Sequence, residues 1–347
     1  MTLIIFLSAA CEYKVNHPSV QYGNSTVPSD SPETHNNLKV DSATMIRYQN
    51  IIQTSKKSIR AQPNNAPAYF NLGIAYGRIG EYQKAIQAFK KAIWIKPNDA
   101  EAHYSLGFDY GRTSQYAEAI QAFKKAIQIR PGYAQAYFNL GIVYGQLGQY
   151  QEALQAFKEA IRLKPDDAHA HFNLGFDYGH LGQYQEAIHE YKQAIRIKPA
   201  YAHSHFNLGI AYQHLGRYEE AIQAFKNAVR IKPDYAQAYN NMGQAYHQLS
   251  RYPEAIQAFK EAIRFDPDSS MAYTNLGAAY DSIGRHQEAI QAYKKAIHID
   301  PDDAETHYNL GMAYVATRDF ESALHQYKAL KDLNSELANK LYTLINQ

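Results

Sequence analysis

The sequence predicts an all-α chain in which one pair of helices recurs along most of the length. Four residue types recur in phase within the 347 residues, each at a step of 34 residues. The series run from Pro63 to Pro301, from Gly73 to Gly311, from Tyr76 to Tyr314 and from Ala85 to Ala323. Each unit holds two stretches of helical hydrophobic spacing and little core of its own, so neighbouring units must stack into a solenoid.

Composition narrows the functional classes. The 35 basic and 33 acidic residues nearly cancel, which argues against binding to nucleic acid or to an anionic membrane surface. With Cys11 as the one cysteine, no disulfide can form within the chain. Beyond the first residues, no apolar stretch is long enough to cross a bilayer.

The first residues form an apolar run that ends in small residues and a cysteine. Residues 1–11, MTLIIFLSAAC, resemble a bacterial lipoprotein signal in which Cys11 becomes the acylated first residue, although no basic residue precedes the run. The alternative is an incidental cysteine in a soluble N-terminus. Residues 12–42 are polar and suit a flexible tether. We therefore expect a lipid anchor at Cys11 in a bacterial cell envelope, facing the periplasm or the exterior, with the cytoplasm as the alternative.

An N-terminal capping helix precedes the repeats, and a solvating helix follows them. Residues 43–65 are assigned as the cap because ATMIRYQNIIQTSKKSIRA has the pattern of a lone second helix. Residues 335–347 are assigned as the C-terminal helix, overlapping the last unit. The eight units are 66–99, 100–133, 134–167, 168–201, 202–235, 236–269, 270–303 and 304–337. The last is degenerate, because Arg318 replaces the turn glycine and Ser335 replaces proline.

The third unit shows how each element is recognised. Ala136 and Tyr144 lie on one face of the first helix, and Gly148 ends it as a C-terminal cap glycine would. Phe157 marks the second helix, and a proline follows its end. Gly141 lies within the first helix at a cost of about 1 kcal/mol relative to alanine. We expect this glycine to permit close packing of the second helix.

These residues carry a family resemblance. Residues 136–167, AYFNLGIVYGQLGQYQEALQAFKEAIRLKPDD, resemble the tetratricopeptide repeat (TPR) almost position for position. The resemblance covers all eight units. It implies antiparallel helix pairs stacked into a right-handed superhelical solenoid, with the first helices lining a concave groove.

Asparagine recurs at the sixth position of seven of the eight units, counted from Ala66. The series is Asn71, Asn139, Asn173, Asn207, Asn241, Asn275 and Asn309, with serine in the second unit. The resemblance implies a role, because an asparagine ladder here holds the backbone of an extended peptide in O-linked N-acetylglucosamine transferases. The alternative is that each amide bonds a neighbouring backbone group.

An aromatic stripe flanks the ladder in the first five units. Its members are Phe70, Tyr104, Phe138, Phe172 and Phe206 at the fifth position and Phe108 and Phe176 at the ninth. Polar or small residues replace them in the sixth and seventh units. The basic residues on this face are Arg78 and Arg112, without lysine, which disfavours a carboxylate-clamp co-chaperone. We predict that the ladder, the stripe and these arginines bind a protein or peptide partner in the groove.

No catalytic function is predicted. The sequence contains no nucleophile elbow, phosphate loop or metal-ligand motif, so we expect no enzyme activity, cofactor or metal site. Six histidines cluster on the first helices of the fourth and fifth units, where packing or solvation explains them better than a metal. Asp109 and Asp177 stand at a position that is otherwise small. We expect each to hold a ladder amide or a side chain of the neighbouring repeat, and the alternative is a polar contact with the partner.

The favoured function is a non-enzymatic scaffold for protein interactions, tethered to the envelope and bound to an extended peptide or a partner helix. The alternatives are a structural solenoid that self-assembles end to end and a cytosolic TPR adaptor. Nucleic acid is not an expected partner, and the membrane is contacted only through the lipid anchor.

Overall fold

The computed structural model of the chain describes residues 42–346. Within that part every regular element is an α-helix, which confirms the predicted all-α class. The helices are α1 Ser42–Ala61, α2 Ala66–Arg78, α3 Tyr82–Ile95, α4 Ala100–Arg112, α5 Tyr116–Ile129, α6 Ala134–Gln146, α7 Tyr150–Leu163, α8 Ala168–His180, α9 Tyr184–Ile197, α10 Ala202–His214, α11 Tyr218–Ile231, α12 Ala236–Gln248, α13 Tyr252–Phe265, α14 Ser270–Asp281, α15 His286–Ile299, α16 Ala304–Ala316, α17 Phe320–Leu333 and α18 Ser335–Ile345. Cys11, the signal-like segment 1–11 and residues 12–41 of the predicted tether lie outside the described residues.

The chain divides into two compact bodies. The N-terminal body contains α1–α5, and the C-terminal body contains α6 up to Gly145 and all later helices. In each body a first helix packs against the second helix of its own unit and against the second helix of the preceding one, as α10 packs against both α11 and α9. Among residues 42–346, no helix combines the length and the apolar character that crossing a bilayer requires.

Caps and turns set the helix boundaries. The side chains of Asp99, Asp167 and Ser269 accept hydrogen bonds from backbone N–H groups in the first turn of the helix that follows. After each first helix, the chain turns through a residue in the left-handed region. Glycine holds this position in five units, as at Gly148 with φ 70°, whereas Ser250 with φ 57° and Arg318 with φ 60° do so without it.

The mid-helix glycines face the aromatic ring of their own second helix. A Cβ atom on Gly141 would stand 2.8 Å from the ring of Phe157, and one on Gly243 would stand 2.6 Å from the ring of Phe259. Both rings are almost fully buried, at 1% exposure. The glycines therefore leave the space into which the largest core side chain of each unit fits.

The last unit is built differently. Gly311 of α16 faces Leu341 of α18 instead of an aromatic ring of α17. Leu341 is fully buried, and the ring of Tyr327 of α17 packs at a tilt against that of Tyr342, with centroids 5.0 Å apart. Helix α18 thus contributes a core side chain to the last unit, so it does more than shield that unit from solvent.

Candidate functional site

The residues of the predicted ladder share a local geometry in the C-terminal body. The side-chain nitrogen of Asn139 donates to the Gln135 carbonyl at 3.0 Å, and that of Asn173 donates to the His169 carbonyl at 2.8 Å. The same bond recurs from Asn207 to the His203 carbonyl at 2.9 Å and from Asn241 to the Gln237 carbonyl at 2.8 Å. The local backbone bond considered from the sequence is therefore present. This bond uses one of the two N–H donors of each asparagine amide. It thereby fixes the orientation of the second N–H donor and of the acceptor oxygen.

The ladder changes at the seventh unit. Asn275 is 3% exposed and donates to the side-chain oxygen of Asn240 at 3.0 Å. Asn240 in turn directs its nitrogen to the sulfur of Met271 at 3.7 Å. Asn275 therefore joins two repeats and offers little surface. Asn71 is exposed in the N-terminal body, and Asn309 is half-buried on α16.

The fifth-position aromatic residues all pack on the core ring of their own unit. The centroid distances are 5.6 Å for Phe70–Phe89, 5.9 Å for Tyr104–Phe123, 5.7 Å for Phe138–Phe157, 5.9 Å for Phe172–Tyr191 and 5.8 Å for Phe206–Phe225. The stripe thus extends the core towards the ladder.

Exposure separates the members of the stripe. Tyr104, Phe176 and Phe206 are buried, at 8%, 9% and 5% exposure. The half-buried members are Phe70, Phe108, Phe138 and Phe172. Only the half-buried rings present an edge that a partner can contact directly, which narrows the predicted stripe.

Two tyrosines that the sequence interpretation did not single out cover this region. Tyr201 and Tyr235 close the fourth and fifth units, and their rings lie 5.1 Å from Phe172 and 4.8 Å from Phe206. Burial raises the pKa of both phenols well above the usual value. The sequence could have revealed both, because tyrosine occupies the thirty-fourth position of these units, where other units such as the first and third have a capping aspartate.

Histidines lie at both ends of α8 and α10. His169 Nδ1 is 3.3 Å from the hydroxyl oxygen of Tyr201. His180 stacks on Tyr150 at 4.7 Å, and His214 stacks on Tyr184 at 4.3 Å. In the described part of the chain, no group of three or more His, Cys, Asp or Glu side chains is placed to hold a metal ion.

The two predicted arginines lie in the N-terminal body. Arg78 is half-buried at the end of α2. The guanidinium of Arg112 lies over the ring of Tyr82 at 5.6 Å and donates to its hydroxyl group at 3.3 Å. Arg112 is therefore held against the second helix of the preceding unit.

The buried aspartates face glycines of the preceding first helix. A Cβ atom on Gly77 would stand 3.3 Å from Asp109 Oδ2, and one on Gly145 would stand 3.5 Å from Asp177 Oδ1. Within residues 42–346, the Oδ2 atom of neither aspartate has a hydrogen-bond partner. Burial raises the pKa of Asp109 to about 7, against the opposing charge of Arg112, and that of Asp177 to about 8. The aspartates fill inter-repeat space and hold no ladder amide.

Comparison with known proteins identifies the repeat. Residues 66–99 and 98–166 match family models described as tetratricopeptide repeat. Residues 135–340, more than half of the chain, match the TPR model described as the cilia and flagella-associated protein 70 C-terminal domain. No curated protein gives a significant match.

Several solved structures are similar. The crystal structure of YrrB, described as a TPR protein with an unusual peptide-binding site, is 26% identical with a TM-score of 0.50, over 54% of this chain and 96% of that chain. A TPR protein from Parabacteroides merdae is 20% identical with a TM-score of 0.53, over 72% of this chain and 99% of that chain. PilF of Pseudomonas aeruginosa is 20% identical with a TM-score of 0.53, over 60% of this chain and 96% of that chain.

The last two likenesses concern the fold alone, and the fold is that of consecutive helix pairs. Together with the family models over residues 66–340, they agree with the 34-residue period of the sequence and with the paired helices of the structure. The chain therefore belongs to the tetratricopeptide repeat family.

Proposed function

We propose that the chain is a non-enzymatic scaffold that binds an extended peptide or a partner helix on its asparagine face. The asparagine face is the surface of the first helices formed by the second, fifth, sixth, ninth and thirteenth positions of each unit. In a TPR groove this surface would be the concave one.

The observation that carries the proposal is the repeated orientation of four amides. Asn139, Asn173, Asn207 and Asn241 each donate one N–H to the carbonyl four residues earlier. Because the amides are already oriented, a partner can bond the remaining hydrogen-bonding groups of Asn173, Asn207 and Asn241 at a reduced entropic cost. YrrB, at 26% identity, supports a peptide as the partner.

The hydrogen bonds of the asparagine ladder do not by themselves give a stable complex. Each hydrogen bond contributes about 0.5–1.5 kcal/mol, whereas ordering one peptide residue costs about 1–2 kcal/mol. The half-buried edges of Phe138, Ile142, Phe172 and Ile210 supply apolar surface beside the amides. Affinity therefore comes from the apolar contacts, and the amides set the register of the bound backbone.

A matched pair of variants of the full-length chain tests the proposal. The ladder variant combines Asn139→Ala, Asn173→Ala and Asn207→Ala. The control combines Gln155→Ala, Gln223→Ala and Gln291→Ala, at exposed positions of the second helices α7, α11 and α15. Partners captured by the wild type are purified, and their direct binding is measured by calorimetry.

We expect the ladder variant to bind at least about tenfold more weakly, since three lost bonds exceed about 1.4 kcal/mol together. The control variant keeps the wild-type affinity, and circular dichroism verifies the folding of both. Equal affinity of the wild type and the ladder variant would refute the asparagine face as the binding site.

We also propose that Cys11 anchors the scaffold to a bacterial membrane. Support comes from the apolar run and small residues of 1–11 and from the polar stretch that follows. Mass spectrometry of the mature N-terminus from a bacterial host should find an acylated cysteine, absent from a Cys11→Ser variant. An unmodified Cys11 within an intact N-terminus would contradict the anchor.

A second candidate is self-assembly through the C-terminal end. Phe320 and Leu324 on α17 are 44% and 38% exposed, whereas Ile290, the counterpart of Leu324 one unit earlier, is 4% exposed. Within residues 42–346, no further repeat packs on this apolar face, whereas the next repeat covers it in earlier units. Sedimentation equilibrium tests self-assembly. A monomer at tens of micromolar excludes this function. An oligomer that the double variant Phe320→Ser with Leu324→Ser dissociates into monomers supports it.

A further inference from the structure

We propose that the segment bound on the asparagine face of the C-terminal body carries no formal charge, and that it is apolar where it meets α6, α8 and α10 and amide- or hydroxyl-bearing where it meets α12 and α14. This inference rests on the proposed function and specifies its partner. It follows from the distribution of charge and of side-chain chemistry between the two kinds of helix.

The first helices of the C-terminal body are nearly free of charge. Helices α6, α8, α10, α12, α14 and α16 contain no lysine or arginine. Their acidic residues are Asp177, Asp281 and Glu305. By contrast, the second helix α7 alone carries Glu152, Lys158, Glu159 and Arg162.

The few acids on the first helices offer little to a partner. Asp177 is 2% exposed beneath the face. Asp281 lies 2.9 Å from His286 Nδ1 and accepts a hydrogen bond from the Tyr293 hydroxyl at 3.1 Å. Glu305 is exposed but belongs to the last unit.

From α6 to α12 the first helices themselves therefore contribute amides, aromatic rings and imidazoles to the asparagine face, without an exposed carboxylate or an ammonium group. The ammonium groups of Lys198 and Lys232, which lie outside these helices, stand over the rings of Tyr201 and Tyr235.

Such a face selects against charged partners. A charged side chain that leaves water for this surface loses hydration and gains no counter-charge from the first helices, which is unfavourable. An uncharged side chain loses far less. In the N-terminal body the corresponding surface does carry charges, namely Arg78, Glu101 and Arg112, so the selection is specific to the C-terminal body.

The chemistry of the face changes along the C-terminal body. The fifth and ninth positions that reach the surface hold Phe138 and Ile142 on α6, Phe172 on α8 and Ile210 on α10. On α12 the same positions hold the buried Asn240 and the half-buried Gln244, and the amides of Gln237 and Asn241 reach the surface beside them. The apolar stretch therefore gives way to amides at the boundary between the fifth and sixth units.

Hydrogen bonds between repeats reinforce the polar stretch. Gln213 donates to the backbone carbonyl of Asn241 at 3.1 Å, and Asn275 donates to Asn240 at 3.0 Å. The hydroxyl groups of Thr274 and Thr306 lie 2.7 Å apart.

Because Asn240, Asn275 and Thr306 are buried in these bonds, the polar groups left at the surface belong to Gln237, Asn241, Gln244 and Thr274. Side chains of Asn, Gln, Ser or Thr in the partner match these groups, because they can replace the water that the amides and the hydroxyl lose.

The length of the segment follows from helix packing. Contacts join α8 to α10, α10 to α12 and α12 to α14, and Gly145 of α6 touches Asp177 of α8. Packed helices lie about 8–10 Å apart, and an extended chain rises about 3.3 Å per residue, so each step takes about three residues. The four steps from α6 to α14 therefore accommodate about 12 residues.

Selection from a phage-displayed library of random peptides of about 12 residues tests the inference on the full-length chain. We expect enriched peptides to be depleted in Asp, Glu, Lys and Arg, with apolar residues at one end and amide or hydroxyl residues at the other. Placing one Glu or Lys in the middle of an enriched peptide should weaken its binding at least about tenfold.

A charge variant sharpens the test. The double variant Gln237→Lys with Gln244→Lys adds two ammonium groups to the face on α12, and it should shift the selection towards acidic peptides. Gln223→Lys on α11 is the matched control, because its exposed position lies on a second helix, and it should leave the selected composition unchanged.

The outcomes separate the inference from the proposed function. Enrichment of charged peptides that depend on Asn139, Asn173 and Asn207 would overturn the inference and leave the proposed function standing. Failure to enrich any peptide, or enrichment that the ladder variant retains in full, would overturn both. Uncharged peptides that the ladder variant no longer binds support both.

Discussion

Asp177 places its carboxyl group in a space that glycine leaves open on the preceding repeat. The group is 2% exposed, and its Oδ2 atom has no hydrogen-bond partner among the described residues. Burial favours the neutral acid, so the pKa rises from 3.8 to about 8. At neutral pH the folded chain therefore binds a proton that the unfolded chain releases.

The first prediction concerns the pH dependence of this residue. Because the folded-state pKa is raised, the contribution of Asp177 to stability is complete below pH 4 and is lost as the pH rises towards 8. Asp177→Asn removes this loss and should stabilise the protein by about 1–3 kcal/mol at pH 8, with little effect at pH 4. Thermal denaturation across this window measures the effect, with the exposed Asp234→Asn as control. Equal shifts of both variants would contradict it.

His171 illustrates the opposite balance of forces. Its Nδ1 lies 2.6 Å from the Glu190 carboxylate and its Nε2 lies 3.1 Å from the Pro165 carbonyl oxygen. Both partners are acceptors, so both ring nitrogens carry protons. Burial alone would lower the pKa of His171, but the hydrogen bond and charge of Glu190 outweigh it and the pKa is raised.

The second prediction tests this buried ion pair with Glu190→Gln. The last unit already pairs His307 with Gln326 at 2.7 Å, so the variant copies an arrangement that the fold accepts. We expect the pKa of His171 to fall, as followed by NMR titration. The wild type gains stability from the pair below about pH 6.5 and loses it as the pH rises through the raised pKa, so a variant cost of about 1–3 kcal/mol should appear at acidic pH. An unchanged titration of His171 would disprove the assignment.

At the scale of the helix, the two glycines of α6 have different roles. Gly141 faces the ring of Phe157, and a Cβ atom there would stand 2.8 Å from it. Gly145 faces Asp177, and its added Cβ atom would meet the carboxylate at an ordinary 3.5 Å. One residue type therefore serves close packing at one position and leaves room at the other.

The third prediction compares alanine at these two positions. Gly141→Ala gains about 1 kcal/mol of helix propensity but overpacks the core, so a net loss of about 1–2 kcal/mol is expected. Gly145→Ala gains the same propensity without a clash and should leave stability unchanged or raise it. Chemical denaturation of both variants gives the comparison. A stabilising Gly141→Ala would show that the ring of Phe157 moves freely.

At the scale of the whole molecule, each repeat depends on its immediate neighbours. Leu341 is fully buried and contacts Gly311 within the last unit. Helices α8 and α9 form the fourth unit, several repeats away from this contact. In an array of this kind, a core defect affects the adjacent repeats first.

The fourth prediction therefore localises the effect of Leu341→Ala. The substitution should cost about 2–5 kcal/mol in the last unit, because it leaves a cavity beneath α16. Hydrogen exchange should accelerate in α16 and α18 and stay unchanged in α8. Uniform acceleration along the C-terminal body would instead indicate a single cooperative unit.

The sequence alone predicted the fold class because the period is a property of the chain itself. Glycine, alanine and tyrosine recur every 34 residues, which indicates stacked repeats, and the resemblance of the unit to the TPR implies that each repeat is a helix pair. The exchange in the last unit, where Leu341 replaces an aromatic ring against Gly311, was not predictable. It depends on how α18 folds back, which the period does not encode.

The candidate site was predictable in outline, since the sixth-position asparagines and their neighbours follow from helical spacing. Their contacts were not, because they involve residues far apart in sequence. Tyr201 packs on Phe172 from the far end of the same unit, and Asn275 bonds Asn240 of the preceding unit. Spacing assigns a residue to a face but does not reveal which neighbour covers it.

The uncharged first helices of the C-terminal body also have a kinetic consequence. A partner that approaches such a face gains no long-range electrostatic attraction, so its association rate should stay near the unsteered range of about 10⁵–10⁶ M⁻¹s⁻¹ and respond little to salt. Differences in affinity between partners would then lie in how long each complex lasts. The scaffold would discriminate among partners by residence time rather than by encounter frequency.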